Sequence, residues 1–185
     1  MRWFAAFLFM IPAMPAMPAL AAEMVPVAAV SSFAQSTMDG DLFRYRAVLV
    51  EVDDGADLYI FADKGDGMEL FAHAPSIAWR GDMFGQEPRL EVAANTSLRV
   101  ISENSSVGRD RWEQVLTIAY RDKRFVVAGY TYSHYDTLDP AATGKCDVNL
   151  LSGRGIQDGR TFRTSMTALP VDEWTMDTSP PGCSR

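Results

Sequence analysis

The chain has 185 residues, with 17 Lys and Arg against 24 Asp and Glu and a net charge of −7. That balance argues against a nucleic-acid binder or a polybasic membrane docker, since either needs clustered basic residues to meet phosphates. A hydrophobic content of 48% and an aromatic content of 11% fit one packed globule, not a disordered tail.

Residues 1–21 (MRWFAAFLFMIPAMPAMPALA) read as an export signal. Arg2 is its short positive region, residues 4–11 its apolar run, and Ala19-Leu20-Ala21 the small residues beside a cut after Ala21 or Ala22. Pro12, Pro15 and Pro18 stop the run well short of the roughly 20 apolar residues that a membrane-spanning helix needs. No cysteine lies nearby for a lipid anchor. The expected destination is the periplasm or the outside of a bacterial cell, with no membrane span.

Residues 22–38 form an N-terminal segment with one short helix expected around residues 27–35. From Asp39 to about residue 170 the chain reads as a single β domain, a succession of strand-like runs punctuated by turn chemistry. RYRAVLVEV (44–52) leads through Asp53-Asp54-Gly55 to DLYIFA (57–62), and KGDG (64–67) leads to MELFAHA (68–74). A less regular stretch, 75–88, carries Trp79, Gly81 and Gly85. Short runs at 89–92 and 97–102 flank Asn95. The clearest hairpin is RWEQVLTIAYR (111–121), an Asp122-Lys123 turn, and RFVVAGYTYS (124–133). Runs at 146–151 and 160–168 complete the domain, and 171–185 is a C-terminal tail. The expected fold is all-β: an antiparallel meander of about eight or nine strands forming a sandwich or strongly curved sheet, with at most one short N-terminal helix.

Cys146 and Cys183 are the two cysteines. In an oxidising compartment an isolated pair favours one disulfide, which would tether the tail (SPPGCSR) and stabilise by about 3–4 kcal/mol. The other reading leaves two thiols in a mobile tail.

Histidine occurs at His73 and His134 alone. Tyr132-Ser133-His134-Tyr135-Asp136 suggests a Ser/His/Asp set, but on a strand Ser133 and His134 point to opposite faces. His134 and Asp136 would sit about 7 Å apart on one face. Alternation places Tyr130, Tyr132 and His134 on one side with Val126 and Ala128, and Trp112, Gln114, Leu116, Ile118 and Tyr120 on one side of the partner strand. If those sides coincide they form an aromatic ladder, either a core filler or a ligand platform. Arg109 and Arg111 share a face that would suit an anion or nearby carboxylates. Two distant histidines give no zinc site, and no cofactor is expected. Arg80-Gly81-Asp82 spells a common adhesion tripeptide, and Asn95-Thr96-Ser97 and Asn104-Ser105-Ser106 spell glycosylation sequons.

Met38-Asp39-Gly40-Asp41 entering AVLVEV resembles the opening of FG-GAP or VCBS-type units, whose acidic loop binds calcium. Asp39 and Asp41 match the first two acidic positions; Phe43, Arg44 and Tyr45 stand where a third would be, and Arg44 and Arg46 oppose a cation. The loop thus reads as a degenerate remnant. More broadly, residues 39–155 resemble a group of exported bacterial proteins of unknown function, through Arg111-Trp112, Ala128-Gly129-Tyr130 and Asn149-Leu150-Leu151-Ser152-Gly153. The functional expectation is a non-enzymatic domain binding an envelope protein or glycan. Alternatives are an envelope-polymer hydrolase using His134, Asp136 and a remote carboxylate, or an inhibitor of a secreted enzyme.

Overall fold

A computed structural model describes residues 29–38, 43–63, 65 and 67–183. The export segment and both Asp39 and Asp41 lie outside them. Strands β1 (Val30–Met38), β2 (Phe43–Val52), β3 (Gly55–Asp63) and β4 (Met68–Trp79) form one sheet in sequential order. Strands β5 (Arg89–Val92), β6 (Leu98–Asn104), β7 (Asp110–Arg121), β8 (Arg124–Asp136), β9 (Thr143–Asn149), β10 (Arg154–Gln157) and β11 (Arg160–Arg163) form the second. The short β12 (Leu169–Pro170) returns to pair with β8. The described pairings are antiparallel, and the two sheets face each other as a sandwich.

The local rules act as the composition suggests. The Asp122-Lys123 turn has φ of 49° and 63°, and Asp158-Gly159 has 50° and 79°. Positive φ at both central residues gives a two-residue turn the twist its hairpin needs, which short polar residues and glycine tolerate. The helix expected around residues 27–35 is replaced by a strand from Val30 onward. Its register sets Ala34 opposite Ala47, both buried, while flanking polar residues stay open. Val30, Phe33, Ala34 and Met38 do fall at helical spacing, but Ser31, Ser32, Ser36 and Thr37 are weak helix formers, and pairing with β2 satisfies the backbone and buries Ala34. At the other edge of the sandwich mouth, the Ser32 hydroxyl accepts the Leu90 N–H at 2.9 Å and ties β1 to β5.

Among the described residues twelve strands stand where eight or nine were expected, β1, β10 and β12 being the additions, and β4 also runs on through the stretch that looked irregular. A bulge makes this possible: Ala56 pairs with Ala78, but Leu58 pairs with Ala74. Asp57 Oδ1 accepts the Ser76 N–H at 2.8 Å, and Ser76 takes φ of 46° there. The extra residues are absorbed and the strand continues.

One core runs between the sheets, with Tyr45, Leu49, Leu58 and Ile60 meeting Leu116, Ile118, Val127 and Tyr130. The C-terminal segment closes it. A single 3-10 turn, Val171–Glu173, brings in Val171 and the fully buried Trp174. Met176 then donates its N–H to Ser76 O at 2.8 Å, and Cys183 is disulfide-bonded to Cys146 on β9.

Candidate functional site

The two sides of the central hairpin do coincide. Leu116 faces Tyr130, Gln114 faces Tyr132, and Trp112 faces His134 across β7 and β8. One expectation about this face is corrected. Val126 and Ala128 lie on the opposite side from Tyr130, packed with Ala119 and Ala168, whereas Phe125 and Val127 share the core with Tyr130. The cause is a bulge: Thr117 pairs with Gly129 but Ile118 pairs with Val127, so Ala128 is an extra residue that inverts the alternation.

The ladder divides by burial. Tyr130 is 1% exposed and belongs to the core, against Trp174 at a ring separation of 6.1 Å. Trp112, Tyr132 and His134 are only half-buried. Above Tyr130 the sheets separate into a cleft of 260 Å³ lined by Trp79, Ser102, Trp112, Gln114, Tyr132, Met176 and Asp177. Trp79 and Trp112 stand 5.1 Å apart at 58°, and Trp112 and Tyr132 stand 6.2 Å apart at 26°. Ser102 and Gln114, cross-strand neighbours, are 2% and 5% exposed and supply a polar floor. Asp177 is exposed at the lip. The cleft offers apolar ring faces, an amide, a hydroxyl and one carboxylate, a set suited to a small ligand with both apolar and polar faces.

His134 and Asp136 do not form an acid–base pair with each other. Asp136 Oδ2 lies 2.6 Å from Arg109, and its Oδ1 accepts the N–H groups of Leu138 and Asp139 at 2.8 and 3.2 Å. The Arg109 guanidinium, then the Leu138 amide, hold the Asp136 carboxyl below its ordinary range. His134 instead lies against Gly144, where a side chain would collide with the ring. Asp158 is its charged neighbour and is itself held down in pKa, first by the Gln157 amide and then by the Lys145 N–H, with His134 contributing less. Ser133 pairs with Glu113 and Lys145 on the other face. Arg111 sits opposite Tyr135, with its Nη1 buried and unpartnered.

Sequence reasoning missed Trp79, Ser102, Met176 and Asp177 as cleft residues. It also missed that His73 Nε2 lies 3.0 Å from Asp57 Oδ2 with its ring stacked on Tyr59 at 4.2 Å. That pair braces the β4 bulge, since the same carboxylate holds the Ser76 N–H. Arg80 reaches Glu51 at 3.3 Å, without hydrogen-bond alignment of its Nε, and Asp82 at 3.2 Å. The Asn104 amide donates to Val107 O and Asp110 O, so that sequon serves the loop. Among the described residues no three His, Cys, Asp or Glu side chains cluster as a metal would require, and no helix is long and apolar enough to cross a membrane.

The chain defines a two-sheet antiparallel β protein with an aromatic cleft at one mouth. No protein-family model, curated protein or solved structure matches it.

Proposed function

We propose that this is an exported, non-enzymatic β domain that binds an envelope glycan, with a sugar ring held in the cleft between Trp79, Trp112 and Tyr132. The observation that carries the reading is the half-open cluster of three aromatic rings, Trp112 near-parallel to Tyr132 and tilted against Trp79, beside the buried Gln114 amide. A sugar's C–H face packs on aromatic faces while its hydroxyls take the amide, Ser102 and Asp177. The disulfide fits an oxidising compartment, in keeping with the export signal read in residues 1–21. The hydrolase alternative is weakened because Asp136 is committed to Arg109 and two backbone amides, leaving His134 without its nearest proposed partner.

Titrating the full, disulfide-intact chain with chitohexaose tests the reading. Wild type should bind, and Trp112→Ala and Tyr132→Ala should each weaken binding about tenfold or more, with unchanged circular dichroism. Equal affinity in folded variants, or no binding by wild type, would reject it.

A further inference from the structure

Four arginines from four strands, Arg99, Arg121, Arg154 and Arg163, lie on the outer face of the second sheet. Successive register partners run Arg99 on β6, Thr117 on β7, Gly129 on β8, Asn149 on β9, Arg154 on β10 and Arg163 on β11. Partners in one register row share a face, and this face is outward because the adjacent Val100, Leu116 and Val148 are core. Arg121 joins them, four residues beyond Thr117 on the same side of β7. At about 4.8 Å per strand the row spans roughly 24 Å. Two depressions of 330 and 640 Å³ lie along it and share Asp147 and Asn149. Gly129 keeps the floor bare, since a Cβ there would come within 3.3 Å of Thr117.

The arginines of this face meet backbone carbonyls at most, Arg121 donating to Tyr120 O at 2.7 Å and Arg163 to Ser152 O at 3.3 Å. Arg44, Arg80, Arg89 and Arg109 each reach a carboxylate. Among the described residues, Arg99, Arg121, Arg154 and Arg163 form no such ion pair, in a chain whose acidic residues outnumber its basic ones. Of the nearby acids, Asp147 accepts the Thr131 hydroxyl at 3.0 Å, and Glu91 is held by Arg89. Arg154 and Arg163 stand directly opposite each other, a like-charge pairing that costs stability unless an anion sits between them.

We propose that this face is a second site, independent of the aromatic cleft, for an acidic glycan chain laid across the strands. The guanidiniums take its carboxylates, and Asn149, Thr117 and Thr161 take its hydroxyls. A peptide added as a strand is disfavoured because the backbone groups of β6 to β10 are already paired on both sides, and β11, the edge strand at the end of the row, is only four residues long. The sequence hides the site because composition counts charges and cannot see register.

The test is calorimetric titration of the full, disulfide-intact chain with oligogalacturonate. Binding should weaken as salt rises, and Arg154→Ala/Arg163→Ala should lower affinity about tenfold or more. Both side chains are exposed, so the double variant should keep its circular dichroism. Trp112→Ala should leave oligogalacturonate binding unchanged while weakening that of chitohexaose about tenfold or more, which separates failure of one site from failure of the other. Absence of binding, full affinity in the arginine variant, dependence on Trp112, or equal binding of poly-glutamate would each overturn the proposal.

Discussion

Trp79 and Trp112 come from different sheets, and their rings meet 5.1 Å apart over the mouth of the sandwich. Their contact is therefore a hinge point between ligand binding and sheet packing, and the two roles separate by burial. Both rings are half-buried, so Trp79→Ala or Trp112→Ala should cost about 1–2 kcal/mol in urea denaturation while removing the ring face that a sugar would use. A collapse of the fold in either variant would show that the pair is core and not a platform.

Trp174 supplies the contrast. It is fully buried, packs on Tyr130, and its Nε1 has no hydrogen-bond partner. Trp174→Ala should cost roughly 3–5 kcal/mol, the scale of a large buried aromatic. Trp174→Phe should cost much less, because it keeps most of the packing and removes a buried unsatisfied donor. Urea midpoints of the two variants, compared with wild type, decide the matter.

These two tryptophans also show what local sequence could and could not say. Trp112 was legible because strict alternation on a strong hairpin puts it on a face with Gln114 and Leu116. Trp79 was not, because it follows the bulge at Asp57 and Ser76 and meets Trp112 across sheets, a contact that no periodicity encodes. Val126 and Ala128 failed for a related reason: one extra residue at Ala128 inverted the face of every position before it. Turns such as Asp122-Lys123 and the Cys146–Cys183 bond were legible because their chemistry is local or exhaustive. The cleft lip at Met176 and Asp177 depends on where the tail folds back, which the tail's composition does not specify.

Cys146 lies in the core and Cys183, 37 positions further on, near the end of the closing segment. Their bond should contribute about 3–4 kcal/mol by restricting the unfolded chain. Cys146→Ala/Cys183→Ala should lower the urea midpoint accordingly and speed proteolysis after Trp174. An unchanged midpoint would mean that Val171 and Trp174 hold the segment without the bond.

Tyr45 is fully buried, with its hydroxyl donating to Thr96 O at 3.3 Å and its ring edge-on to Phe125. Burial pushes its phenol up to about 12. A folded-state value above the unfolded one means that its stabilising effect is complete below about pH 10 and is lost as pH rises toward 12. Tyr45→Phe should flatten part of the alkaline loss of stability at a cost of about 1 kcal/mol at pH 7, where the hydroxyl's contacts with Thr96 O and Ser36 are removed. Parallel alkaline unfolding curves for the two proteins would contradict this.

Asp136 sets the opposite limb. Its carboxyl is held below the ordinary value by Arg109 and the Leu138 and Asp139 amides, so it stabilises the fold above that value and the benefit disappears as pH falls through the depressed one. Asp136→Asn retains an oxygen for the two amides and removes the charge that meets Arg109. The variant should therefore be less stable than wild type at neutral pH, with the difference closing under acid conditions below the usual carboxylate range. Urea midpoints measured across that range give the answer, and raised salt should narrow the neutral-pH difference because the pair is exposed on its Arg109 side. A difference that persists in acid would assign the role of Asp136 to its amide contacts alone, and the ion pair would then carry no stability.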